Sequence, residues 1–137
     1  MRIGLSALAM VVAAIALPAA AHADSEQFQS PTGNIACNIG AGGVACDISD
    51  HTYQPPPPPP CGQHFPWGSR FTLDAGKAAN IVCHSDSLRV PGEPTLDYGQ
   101  TKSVGTFTCD SELSGVKCTD SSTGHYFRVS RDSYDLG

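Results

Sequence analysis

The sequence is poor in positive charge, in aromatic rings and in long apolar runs. Eight Lys+Arg stand against thirteen Asp+Glu, a formal net charge of −5 at pH 7. After Arg2, the basic residues Arg70, Lys77, Arg89, Lys102, Lys117, Arg128 and Arg131 are scattered singly. No cluster could neutralise a run of phosphates, so no nucleic acid is expected as partner, and an anionic membrane surface is disfavoured for the same reason. Acidity alone favours solubility and points to no particular ligand. The long apolar run at residues 3–17 is too short for a comfortable membrane span. Cys-x-x-Cys is absent, which removes the usual zinc knuckle and the thioredoxin-type redox pair. Gly-x-Ser-x-Gly, the nucleophile elbow of α/β-hydrolases, is absent as well. No helical stripe of apolar residues is found.

What is present begins with an export signature. Met1-Arg2 supplies one positive charge, an apolar run follows, Pro18 breaks it, and Ala21-His22-Ala23 is a small-x-small cleavage site. This is the three-part layout of a secretory signal peptide, with cleavage expected after Ala23. No cysteine sits just after the cleavage region to carry a lipid, and no stable membrane insertion is expected once residues 1–23 are gone. Residues 24–137 are read as a single secreted domain. Its net charge is −6, because the leader takes away Arg2 and no acid.

All six cysteines, Cys37, Cys46, Cys61, Cys83, Cys109 and Cys118, lie in that domain. An even count in a small exported chain argues for a disulfide framework. Strand alternation narrows the pairings. If Asn34–Ile39 and Val44–Ile48 form a hairpin around Gly40-Ala41-Gly42-Gly43, Ile39 faces Val44, Cys37 faces Cys46 and Ile35 faces Ile48, all on one side of the ribbon. Directly opposed residues lie about 4.5–5.5 Å apart at Cα, within reach of a disulfide. "GTFTCDSELSGVKCTD", residues 105–120, aligns without gaps on "GNIACNIGAGGVACDI", residues 33–48, and so predicts a second stapled hairpin with Cys109 opposite Cys118. Cys61 and Cys83 remain and are expected to pair. The chain-entropy relation gives roughly 2.5–3 kcal/mol for each short bridge and about 3.4 for the long one. Such crosslinks matter where large apolar residues make up only about a fifth of a small chain.

Elsewhere short strands alternate with turns: Arg70–Leu73, Ala79–Cys83, Leu88–Val90, Thr95–Gly99 and His125–Ser130, with Pro91-Gly92-Glu93-Pro94 as a strong turn. The expected fold is all-β, a small disulfide-stapled sandwich or partly open barrel with two similar hairpins. Pro55–Pro60 must be extended and cannot join an interior strand. That run reads either as a ligand for an aromatic groove or as a rigid surface connection tied at Cys61; lacking flanking basic residues, the second is favoured.

The segments "SPTGNIAC", "CDI", Tyr53-Gln54-Pro55-Pro56, Trp67-Gly68, "LDYG", "GTFTC", "GVKC" and "GHYFRVSRDSYDL" together resemble a family of small exported actinobacterial proteins of mycobacterial type. The likeness runs from about Phe28 to Leu136. It implies export and fold and brings no activity with it. The chain departs from the family's Gly-His-Gly-Phe pattern at Gly124-His125-Tyr126-Phe127, and its proline run is longer.

Candidate chemistry is sparse. "CHSDS", Cys83 to Ser87, is the densest polar stretch, but neighbours on a strand point to opposite faces, so a Ser-His-Asp chain cannot form there locally. The histidines His51, His64, His84 and His125 are isolated in sequence, so no metal site and no cofactor are expected. In "GHYFRVSRDSY", Tyr126, Arg128, Arg131 and Tyr134 form a candidate binding face. The sequence therefore predicts a secreted, non-enzymatic binding or envelope-associated module, its partner a protein or an envelope component. The alternatives are a small secreted hydrolase using His84 or His125, and a secreted protease inhibitor presenting the loop before Cys61.

Overall fold

The computed structural model describes residues 10–13, 25–61 and 65–137. Most of the expected leader at 1–23, and His64, lie outside the described residues. Among the described residues there are ten strands and no helix: β1 (Glu26–Gln29), β2 (Ile35–Gly40), β3 (Gly43–Ile48), β4 (Arg70–Asp74), β5 (Asn80–Val82), β6 (Thr101–Val104), β7 (Phe107–Glu112), β8 (Gly115–Asp120), β9 (Tyr126–Val129) and β10 (Tyr134–Leu136). They form two five-stranded antiparallel meanders, β1 to β5 and β6 to β10, each in simple sequence order. The sheets do not close into a barrel, which decides for the sandwich.

The two hairpins set this architecture. In the first, Ile39 faces Val44, Cys37 faces Cys46 and Ile35 faces Ile48. The strands run one residue further than the sequence suggests, leaving a two-residue turn at Ala41-Gly42. In the second, Cys109 faces Cys118 and the turn is Leu113-Ser114. Bridges join Cys37 to Cys46 and Cys109 to Cys118 at Cα separations of 4.1 and 4.0 Å, somewhat inside the about 4.5 Å of the closer class of antiparallel pairs. The third bridge joins Cys61 to Cys83.

The repeat extends into the next strand. Phe71 on β4 lies opposite Cys46, and Phe127 on β9 lies opposite Cys118. The two rings meet across the sandwich with centroids 5.8 Å apart, joining the sheets at the centre of the core. Phe28, Ile39, Leu73, Phe107, Val116 and Val129 complete it, all buried. Gly43 and Gly115 start the matched return strands because the following strand's backbone passes too close for a side chain. A Cβ at Gly43 would lie 2.8 Å from the Leu73 carbonyl oxygen, and one at Gly115 would collide with that of Val129.

Three strands escape the sequence reading. β1 (EQFQ) and β6 (TKSV) are short sheet edges with little apolar alternation, and β10 has only three residues. Two expected strands do not form. Leu88–Val90 crosses the outer face of the first sheet, and Thr95 makes a single bridge to Gln29. Their backbone groups go to side chains and turns instead, as where the Leu88 N–H meets the Asp47 carboxylate at 2.9 Å.

The halves differ most in one connection: β3 to β4 spans residues 49–69, whereas β8 to β9 spans only 121–125. The proline run occupies the longer one and is pinned to the body. Trp67 Nε1 donates to the Pro56 carbonyl at 2.8 Å, Gly68 packs against Pro55, and the Tyr53 hydroxyl donates to the Gly68 carbonyl at 2.6 Å.

Candidate functional site

At one end of the sandwich the sheets part around a cleft of about 530 Å³. One wall comes from the first half: the turn before β2, the residues just after β3, and Arg89. The other comes from the second half: Tyr98, the β7–β8 turn, Ser130 and Arg131. Local hydrogen bonds build each wall. The Asn34 side-chain amide both accepts from and donates to the backbone of Asp50, at 2.8 and 2.9 Å, which fixes the chain leaving β3. The Gly99 N–H donates to the Ser111 carbonyl at 2.7 Å and the Ser111 N–H to the Gln100 carbonyl at 3.0 Å, which seats the Tyr98 loop against β7.

Ser111 is the unusual residue here. It is 1% exposed, lines the cleft, and its hydroxyl has no hydrogen-bond partner. In the first hairpin the equivalent inward-facing position holds Ile39. A buried hydroxyl left unpaired costs about 1–3 kcal/mol. Around it the cleft offers the half-exposed Tyr98 ring, the exposed Leu113 side chain, the carboxylates of Asp50 and Glu112, and the guanidinium groups of Arg89 and Arg131. Arg89 holds the Ser49 hydroxyl at 2.9 Å. The site thus combines an aromatic surface with donors and acceptors of both signs, a mixture suited to holding a polar ligand.

A second polar cluster lies on the outer face of the first sheet. Arg70 is a fork between two carboxylates, with Nε 2.6 Å from Asp47 Oδ1 and Nη1 2.6 Å from Asp86 Oδ1. The Asp47 hydrogen bond holds the guanidinium pKa above its ordinary value. The Arg70 hydrogen bond lowers that of Asp86. Next to this fork, Ser69 Oγ lies 3.0 Å from His84 Nε2, and His84 Nδ1 lies 2.7 Å from the backbone carbonyl of Asp86. The Asp86 carboxylate is therefore spent on Arg70, and a carbonyl orients the histidine. Neither Ser69 nor His84 lines the cleft between the sheets. Ser69 did not stand out in the sequence because it pairs with His84 only through the β4–β5 hairpin.

The four residues expected to form a binding face are divided. Tyr126 and Arg128 do lie on the outer side of β9. Lys117 Nζ sits 4.4 Å from the Tyr126 ring centroid. Arg128 is consumed by Asp135 Oδ2 at 2.9 Å, the Ser114 carbonyl at 2.7 Å and the Ser133 hydroxyl at 3.0 Å. Tyr134 turns inward, because it lies opposite Val129, and its ring meets Tyr53 and Phe71 at 5.1 and 5.6 Å. Arg131 alone reaches the cleft. His125 Nδ1 lies 3.2 Å from the carbonyl of Gly137, and its backbone N–H is bonded to Thr123 Oγ1.

Two further groups carry shifted pKa values. Burial, then the neighbouring Tyr134, raise the Tyr53 phenol well above its ordinary value. Hydrogen bonding from Ser122 lowers the Asp120 carboxyl. Asp120 Oδ1 accepts from the Ser122 N–H at 3.0 Å and from its hydroxyl at 2.7 Å, closing the tight β8–β9 turn. No side-chain cluster capable of holding a metal ion occurs among the described residues.

Three bridges in so small a body suit an oxidising, extracellular-type environment. No curated protein and no solved structure matches the chain. The family of unknown function DUF6636 matches residues 7–136, nearly its whole length, and the chain belongs to that family.

Proposed function

We propose that the protein is an exported, non-enzymatic binding module, freed from its leader after Ala23, which holds a polyhydroxylated, saccharide-type group of the cell envelope in the cleft between its sheets. The unpartnered Ser111 hydroxyl carries this reading. A sugar hydroxyl can donate to it and accept from it, while Tyr98 offers a ring face and Arg89, Arg131, Asp50 and Glu112 address further hydroxyls. Titration of the purified protein with a panel of mono- and disaccharides, followed by calorimetry and backbone NMR, tests it. Saturable shifts at Tyr98, Ser111 and Arg131, weakened about tenfold by Ser111→Ala, are the expected result. Shifts confined to other surfaces, or none across the panel, would sink it.

A hydrolase reading draws on the Ser69–His84 pair. It predicts that a serine-directed fluorophosphonate labels Ser69 and that His84→Ala abolishes labelling. An unlabelled protein removes it. As an inhibitor, the protein would have to offer a narrow free loop, and the pinning of Pro55 and Pro56 by Trp67 and Gly68 works against the segment before Cys61 serving as one.

A further inference from the structure

A second cleft, of about 480 Å³, lies on the opposite side of β1 from the disulfide hairpin, between residues 25–27, the turn 90–94 and Lys102. Glu93 lines it, only 8% exposed, and neither of its carboxylate oxygens has a hydrogen-bond partner. Its backbone is held firmly. The Glu93 N–H donates to the Val90 carbonyl at 3.3 Å, its carbonyl accepts from Gln29 Nε2 at 3.2 Å, and the adjacent Pro94 carbonyl accepts from the Gln29 N–H at 2.9 Å. The cation in the wall, Lys102, is bound to Glu26 Oε2 at 2.8 Å. That ammonium is thus taken by Glu26, Glu93 is left without a counter-charge, and no cluster of acids, histidines or cysteines makes a metal cage among the described residues. A buried carboxylate without a partner is costly and calls for a compact cation rich in N–H donors.

We infer that Glu93 is the receptor for an ammonium group. The source nearest in the chain is the α-amino group that leader removal frees at Asp24, one residue before the Ser25 that lines the cleft. This source rests on the proposed cleavage after Ala23; the receptor does not. The pair is a charge-assisted hydrogen bond formed only after processing, so the exported form gains a tie between its new end and the turn beside β1.

The test uses the full chain expressed with export. Intact mass of the product reads the first residue, and so judges the cleavage separately. The α-amino group, tagged by 13C-methylation, is then titrated by NMR in the wild type and in Glu93→Gln. An ordinary α-amino group titrates near about 7.7–8.0. Pairing with Glu93 should raise its affinity for the proton tenfold or more in the wild type, and the amide variant should return it to the ordinary range. If the α-amino group titrates ordinarily, or the first residue is not Asp24, methylammonium is added while the Glu93 carboxyl resonance is followed. A saturable shift keeps the receptor and assigns it to an outside amine. No shift, with an ordinary α-amino titration, overturns the proposal.

Discussion

The inward row of the first stapled hairpin reads Ile35, Cys37, Ile39, Val44, Cys46, Ile48; the same six places in the second hold Phe107, Cys109, Ser111, Val116, Cys118, Asp120. Four places keep their character and two turn polar. Ser111 and Asp120 are both buried, and each leaves a side-chain oxygen without a partner. The repeat therefore separates what holds the fold from what has been altered within it. The cysteines and the phenylalanines opposite them are common to both halves. Asp120 serves the short turn that the first half replaces with its proline loop, whereas the Ser111 side chain makes no hydrogen bond and sits in the wall of the cleft.

The comparison is broken most severely at its shared centre. Phe71→Ala and Phe127→Ala should each cost roughly 3–5 kcal/mol in chemical denaturation. Because their rings touch, the double variant should cost less than the sum. Additive losses would mean that the halves are stabilised independently. Next come the matched bridges. Replacing Cys37 and Cys46 by alanine, or Cys109 and Cys118, should cost roughly 2.5–3 kcal/mol in either half, since both close loops of nine-residue separation. A clear inequality would show that the repeat is one of shape only.

Smaller effects sharpen the contrast by pH. The Tyr53 phenol, in the long loop of the first half, has a raised folded pKa, so its contribution is complete below the unfolded value of 10.0 and declines above it. The slope there approaches about 1.4 kcal/mol per pH unit and should vanish in Tyr53→Phe. Asp120, in the short turn of the second half, has a lowered pKa, so its contribution is present above the ordinary value of 3.8 and is lost as pH falls through the folded one. Alkali should thus loosen amide protection first around residues 51–53, and acid first around 120–124. The smallest effect concerns Ser111→Ala, which should leave the empty protein unchanged or raise its stability by about 1 kcal/mol or less, because it removes an unpaired hydroxyl. Destabilisation would mean that Ser111 has a structural role after all.

Much of the frame could be read from residues alone. Alternation with period two placed both cysteines of a hairpin on one face, and so gave the register; the gapless match of 33–48 with 105–120 gave the second hairpin. What escaped was long-range. The cleft joins residues near 30, 50, 89, 98, 112 and 131, which no local pattern connects. Tyr134 read as a surface aromatic because its inward direction depends on pairing with Val129. The Ser69–His84 contact depends in the same way on β4 meeting β5. Ser111 was in plain view opposite Ile39 in the alignment, and an isoleucine answered by a serine at a core position is the one local sign of the cleft.

Every covalent crosslink lies within its own half: Cys37–Cys46 and Cys61–Cys83 before residue 84, Cys109–Cys118 after residue 100. Sulfur chemistry thus does nothing to keep the sheets together; the mutual grip of Phe71, Phe127 and their neighbours does. A molecule forced open by heat or traction would part like a book along the stretch 84–100, with both pages still stitched.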